Sequence, residues 1–180
     1  MEADVERILY SRAQIDERVK ELAAQVVGVY REKDLTVAVV LSGAFMFAAD
    51  LVRHLAQHVE VVFVRATSYG DGTAPQHAPK IDVFDPIDWS GRDVLIVEDI
   101  VDTGHTLAAL IEVVTAGGAR SVRACAFLEK TSRRAADVDV EFAGFQLEGD
   151  EFVVGYGLDL AGRYRNLPYV GVLRAGRIPG

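Results

Sequence analysis

The stretch Val94-Leu-Ile-Val-Glu-Asp-Ile-Val-Asp-Thr-Gly-His-Thr-Leu107 opens as a buried strand and then breaks its own pattern. Four apolar residues, Val94–Val97, run directly into the adjacent acids Glu98 and Asp99. A third acid, Asp102, opens an Asp-Thr-Gly turn, and a helical run follows from Thr106. An apolar, β-branched run that meets a glycine turn and then a helix marks the junction at which open α/β sheets bind their ligands.

The rest of the chain repeats this alternation. Thr36–Leu41 is a short apolar run expected to be a buried strand, broken by Ser42-Gly43-Ala44 ahead of a helix over Phe45–Ala56. Val59–Val64 is a second strand, Asp93–Val97 a third, and Thr106–Thr115 a helix stopped by Gly117-Gly118. Val122–Leu128, Glu151–Asp159 and Tyr169–Leu173 are further strand candidates. Upstream, Ser11 and Gln14 fit a capping box, with Ile15, Val19, Leu22, Val26 and Val29 marking one face of the helix that follows. Strands alternating with helices imply right-handed crossovers and a mainly parallel central sheet flanked by helices. The Gly- and Pro-rich Ser68–Asp82 stretch is too long for an ordinary connection and is expected to be a mobile lid.

Length and composition predict one domain spanning 1–180, since half the residues are apolar and neither repeat nor linker interrupts them. The acidic Met1–Glu6 segment resembles no signal peptide, no apolar run is long enough to cross a bilayer, and Cys125 is the one cysteine. A cytoplasmic protein is expected. A net charge of −8 argues against general nucleic-acid binding, which draws its affinity from basic residues. Charge is nevertheless uneven: Arg163, Arg165, Arg174 and Arg177 lie beyond Asp159, where no carboxylate side chain follows. His54 and His58 stand four apart but lack a third ligand, His77 has no evident partner, and Asp88-Trp89 is expected to be a structural corner.

Asp102-Thr103-Gly104-His105-Thr106 would present backbone N–H groups and two hydroxyls at a helix N-terminus, which suits a phosphate monoester. It is not the triphosphatase loop, because GxxxxGK[ST] does not occur. Glu98 and Asp99 can accept hydrogen bonds from vicinal ribose hydroxyls or hold hydrated Mg²⁺, and Asp102 can serve as a base. The plainer reading is that the three acids cap the helix and favour its dipole.

The motif resembles the phosphoribosyl-pyrophosphate (PRPP) motif of the type I phosphoribosyltransferases, in the form found in their hypoxanthine-guanine branch. "VLSGAFMFAADL" (40–51), "SYG" (68–70), "FLEKTSRR" (127–134) and "FVVGYGLD…YRNLPYVGVL" (152–173) fall in the family's order. The resemblance implies a type I phosphoribosyltransferase fold with a small base-recognition hood over about 130–180 and a lid over about 68–82. It implies Mg²⁺-dependent transfer of phosphoribose from PRPP to a 6-oxopurine, giving nucleotide and pyrophosphate, in a homodimer or homotetramer with no nucleic-acid or membrane partner.

Carried over residue by residue, the resemblance places the 5′-phosphate and ribose of PRPP against Glu98, Asp99, Asp102, Thr103, Gly104, His105 and Thr106. Asp102 would be the catalytic base. Ser42, Gly43 and Arg165 would hold pyrophosphate, with a cis peptide between Leu41 and Ser42, and Glu98, Asp99 and Asp159 would serve the metal. Lys130 would donate to the purine 6-oxo group with support from Arg134, Phe152 would stack on the base, and Val153 would offer backbone groups. Ser68 and Tyr69 would close the lid. Relatives often carry lysine where this chain has Ser42 and His105. Two other outcomes of the same fold are a PRPP- or nucleotide-binding regulator of RNA or DNA and an enzyme for another 6-oxopurine such as xanthine.

Overall fold

The computed structural model describes residues 2–67, 80–84, 86–149 and 151–177. Ser68, Tyr69 and His77 lie outside the described residues. In chain order the elements are β1 (Val5–Tyr10), α1 (Arg12–Tyr30), β2 (Leu35–Leu41), α2 (Phe45–His54), β3 (Val59–Thr67) and β4 (Lys80–Val83). They continue with β5 (Asp93–Val101), α3 (His105–Ala116), β6 (Ser121–Glu129), β7 (Phe142–Gln146), β8 (Val153–Val154) and β9 (Val170–Leu173).

Six strands form the main sheet in the order β4-β3-β2-β5-β6-β7. All neighbours are parallel except the edge pair β3–β4. From β2 the chain moves outward to β3, whereas from β5 it moves the other way to β6 and β7. The direction therefore switches between the carboxyl ends of β2 and β5, which opens a crevice there. Both faces of these central strands are covered. Val37, Val39, Leu95 and Val97 pack under α1 and α2 with Leu22, Val26, Phe47 and Leu51. Ala38, Val40, Val94 and Ile96 meet Leu107, Leu110 and Val114 of α3 on the other face. This is why the strands read as unbroken apolar runs.

Local chemistry sets the helix ends. Ser11 and Gln14 form the expected reciprocal capping box at α1. Ile15, Val19, Leu22 and Val26 are buried, Val29 is half-buried, and Tyr30 completes the face. At the end of α3, Gly118 takes φ +87°, and a methyl on Gly117 would stand 2.7 Å from the Trp89 ring. Trp89 thus plugs the helix terminus, a structural role. His54 and His58 are exposed, and among the described residues no cluster of His, Cys, Asp or Glu could cage a metal. No described helix is long and apolar enough to cross a membrane.

Four expectations change. The strand expected over Asp93–Val97 runs on to Val101, so Glu98 and Asp99 belong to it. The strand expected over Glu151–Asp159 shrinks to Val153–Val154, because Gly155, Tyr156 and Gly157 take φ of 101°, 50° and 99°, which no strand accommodates. Lys80–Asp82, at the end of the expected lid, pairs with β3 instead. The small sheet where the hood was expected has the order β1-β9-β8: it draws β1 from the start of the chain, while β7, inside 130–180, belongs to the main sheet. Neither β1 nor β7 was read from the sequence.

Phe127 of β6 is fully buried and joins these parts, with ring centroids 5.4 Å from Phe47, 5.7 Å from Phe145 and 4.9 Å from Tyr156. Phe127→Ala is expected to lower the unfolding free energy by about 3–5 kcal/mol, read by equilibrium urea denaturation. A loss below about 1 kcal/mol would show that α2 and the Gly155–Gly157 turn are not braced by this ring.

Candidate active site

The crevice begins where ladders of unequal length end. β5 pairs with β2 only as far as Val97, opposite Val39, but with β6 as far as Val101, opposite Glu129. Glu98 and Asp99 therefore extend past one neighbour. There β2 departs through a cis peptide between Leu41 and Ser42, as the resemblance implied. A methyl on Gly43 would stand 1.8 Å from Oδ2 of Asp99, so only glycine fits. Gly157 in turn lies against Gly43, where a methyl would come 2.2 Å from the carbonyl oxygen. Arg165 donates to the Gly157 carbonyl (2.5 Å) and pairs with Asp159 (2.8 Å), while the Gly162 N–H caps the Asp159 carboxylate (2.6 Å). Ser42, Gly43, Asp99, Asp159 and Arg165 are thus linked through one interlocked pair of loops.

Along the same edge, Gly104 at φ +85° turns the chain into α3 with no side-chain cap. The first N–H groups of the helix are left for a ligand. A recess of about 100 Å³ is lined by Glu98, Asp102, Thr103, Gly104 and Thr106. His105 points to solvent. The segment after β6 supports this loop: the N–H groups of Ala135 and Ala136 both donate to the Thr103 carbonyl (3.0 and 2.9 Å). Arg134 lies beneath Gly104 and pairs with Glu129 (2.6 Å), the residue before Lys130, rather than with Lys130 itself. Arg133 pairs with Asp102 (3.2 Å). Sequence reading missed Arg133 and Glu129, whose places depend on the fold returning 131–136 onto the loop.

Lys130 connects this loop to the hood. Its N–H donates to the Val101 carbonyl (2.9 Å), and its buried Nζ reaches the Glu151 carbonyl (3.3 Å). Phe152 is half-buried in the hood cluster. Because the Phe152 carbonyl accepts from Leu173 and β8 is an edge strand, strand alternation turns the Val153 backbone groups outward. Tyr156, also missed, donates to Asp50 of α2 at 2.7 Å and fixes the Gly155–Gly157 turn to that helix.

Electrostatically the site is short of positive charge. Burial, reinforced by neighbouring Asp99, pushes the Glu98 carboxyl up to about 8. Burial also raises Asp99 to about 6, against the opposing pull of its backbone N–H bonds and Arg165. Glu98 Oε2 and Asp102 Oδ1 are buried without a hydrogen-bond partner. Unpartnered carboxylate oxygens at a crevice fit a hard cation. Such oxygens suit a cation that retains waters and shares its shell with a ligand's oxygens.

Comparison with known proteins agrees with this geometry. The phosphoribosyl transferase domain family matches residues 8–160. Hypoxanthine-guanine phosphoribosyltransferase of Bacillus subtilis is 43% identical over 176 residues, covering 97% of this chain and 96% of that protein. Hypoxanthine phosphoribosyltransferase of Escherichia coli is 43% identical over 166 residues, covering 91% and 93%. The crystal structure of a hypoxanthine phosphoribosyltransferase from Staphylococcus aureus superposes with a TM-score of 0.93 at 34% identity, covering 100% of this chain and 97% of the other. The chain belongs to the phosphoribosyltransferase family, in its hypoxanthine-guanine branch.

The raised acids have a thermodynamic consequence. Between 4.5 and about 8 the native state holds a Glu98 proton that the unfolded chain releases. Its stabilising effect is complete below that interval and lost as pH rises through it. Metal-free protein is expected to lose on the order of a few kcal/mol of stability between pH 5 and 8.5 in urea denaturation, and Glu98→Gln to flatten that slope. An equally steep slope in the variant would assign the loss to other groups.

Proposed function

We propose that the protein is a purine-salvage enzyme. It transfers the 5-phosphoribosyl group from PRPP to N9 of hypoxanthine or guanine, giving IMP or GMP and pyrophosphate, with Mg²⁺ as cofactor. The observation that carries this reading is Lys130. Its backbone is bonded to the end of β5 beside Asp102, while its ammonium group is buried at the Glu151–Val153 segment. A donor held there matches a 6-oxo acceptor and opposes the 6-amino donor of adenine, whose binding would leave buried polar groups unpaired.

Asp102, Thr103, Gly104, His105 and Thr106 receive the 5′-phosphate, and Glu98 and Asp99 face the ribose hydroxyls. Ser42, Gly43 and Arg165 receive the pyrophosphate, the guanidinium offering it a planar fork of donors. Phe152 stacks on the purine and Val153 offers main-chain groups to its edge. Glu98, Asp99 and Asp159 would hold Mg²⁺, which would supply the positive charge that makes pyrophosphate a better leaving group. The sugar C1–O bond breaks ahead of attack, and the carboxylates around the ribose stabilise the cationic centre. Asp102 then takes the N7 proton as N9 bonds to C1. The lid role of Ser68 and Tyr69 rests on sequence alone. The same reading places the enzyme in the cytoplasm as a homodimer or homotetramer, and the exposed Val61 and Phe63 of β3 offer an apolar contact face.

A spectrophotometric assay with PRPP, Mg²⁺ and separate bases tests the proposal. Turnover of hypoxanthine or guanine with adenine inert is expected. Turnover of xanthine alone would shift the substrate within the 6-oxopurines, and tight PRPP binding without turnover of any base would point to a regulator. Asp102→Asn is expected to retain PRPP binding but lose about 10²- to 10⁴-fold in kcat. An unchanged kcat would remove Asp102 from the role of base.

A further inference from the structure

Arg133 lies outside every group assigned above, yet the fold aims it at the first residue of the loop assigned to the phosphate. It ends the short 3-10 turn Thr131–Arg133. That turn is fixed at both sides: Lys130 donates to the Val101 carbonyl before it, and Ala135 and Ala136 donate to the Thr103 carbonyl after it. The guanidinium, about half-exposed, pairs with Oδ2 of Asp102 at 3.2 Å, and Oδ1 of that carboxylate has no partner. The loop itself gathers Glu98, Asp99 and Asp102, and its own basic side chain is the exposed His105. A phosphate dianion docking there needs a cation, and Arg133 stands beside the first residue of the loop.

We propose that Arg133 is a ligand of the 5′-phosphate, held on Asp102 until the phosphate arrives and then handed over to it. The inference rests on the phosphoribosyl-transfer reading and deepens it. Guanidinium bonds phosphate oxygens in the same forked manner as it bonds a carboxylate, so the exchange requires a small rotation of the side chain rather than movement of the loop. The exchange also uncovers the Asp102 carboxylate. The residue that neutralises the phosphate thereby leaves the base free to accept the purine N7 proton, so phosphate occupancy and base availability are coupled through one side chain.

The test compares inosine 5′-monophosphate with inosine, which differs by the phosphate alone, in competition binding to the full-length protein. Arg133→Ala is expected to weaken the nucleotide by roughly ten- to a hundredfold, the loss of charge-assisted hydrogen bonds, while inosine stays within about twofold. Adding His105→Lys to that variant is expected to recover much of the nucleotide affinity, which a merely structural role for Arg133 would not allow. Arg133→Gln, of similar length, serves as the second variant should the alanine form lose its folded circular-dichroism spectrum. Unchanged nucleotide affinity, or equal loss of nucleotide and inosine, would overturn the assignment. Wild-type protein that binds neither compound would instead overturn the reading beneath it, a failure visible before any substitution is made.

Discussion

Gly43 stands so close to the Asp99 carboxylate that a methyl group on it would overlap the oxygen, and Gly157 stands just as tightly against the Gly43 carbonyl. These two contacts bring three distant segments of chain to one point. The end of β2 supplies the first, the extension of β5 the second, and the turn after β8 the third. β2 and β5 are ladder neighbours only as far as Val39 and Val97, and the turn after β8 follows a strand of the other sheet, so ladder hydrogen bonds stop short of the point where the three meet. Close approach at the two glycines holds them there, helped by Arg165 on the Gly157 carbonyl and by Tyr156 on Asp50. A larger residue at either glycine would separate the loop assigned to pyrophosphate from the acids assigned to ribose and metal, without touching the sheet beneath.

The same closeness accounts for the unusual electrostatics. Carboxylates packed against backbone and against each other lose the water that would stabilise their charge, so Glu98 and Asp99 retain protons well above the ordinary range. A protein of net charge −8 would then seem poorly suited to a ligand bearing several phosphates. On the proposed reading the ligand brings its own cation, and Arg133, Arg165 and Lys130 stand at the parts of the crevice assigned to phosphate, pyrophosphate and purine. Desolvation and charge complementarity are here one design.

Much of this was legible in the chain, for identifiable reasons. The central strands announce themselves because burial on both faces leaves Val37–Leu41 and Val94–Val97 wholly apolar, and the Asp-Thr-Gly turn marks its helix because only glycine readily takes Gly104's backbone angles. Site residues adjacent in sequence, from Glu98 to Thr106, were found together. The cis peptide at Leu41–Ser42 came from resemblance, since no local pattern encodes it. Other features stayed hidden because they depend on tertiary return. Arg133 and Glu129 look like surface charges until residues 131–136 fold back on Thr103. Val153 to Gly157 reads as strand because its apolar and aromatic residues have strand preferences, but left-handed backbone at Tyr156 ends the strand early. β1 and β7 were missed because one carries Glu6 and Arg7 and is largely exposed, breaking any alternation, and the other is short and interrupted by Gly144.

The pairing of β1 with β9 has a further implication, for the order in which the molecule assembles. β1 precedes the main sheet in the chain and β9 follows it, and Asp4 and Tyr164, 160 residues apart, are joined by a hydrogen bond. On the ribosome β1 must therefore wait, unpaired, until β9 has emerged. The main sheet has no such delay, since all its strands lie between Leu35 and Gln146. The part of the crevice assigned to phosphate and ribose can thus take shape before the wall assigned to the purine, which closes only after β9, with Arg174 and Arg177 fastening the segment beyond it to Ala3 and Asp4.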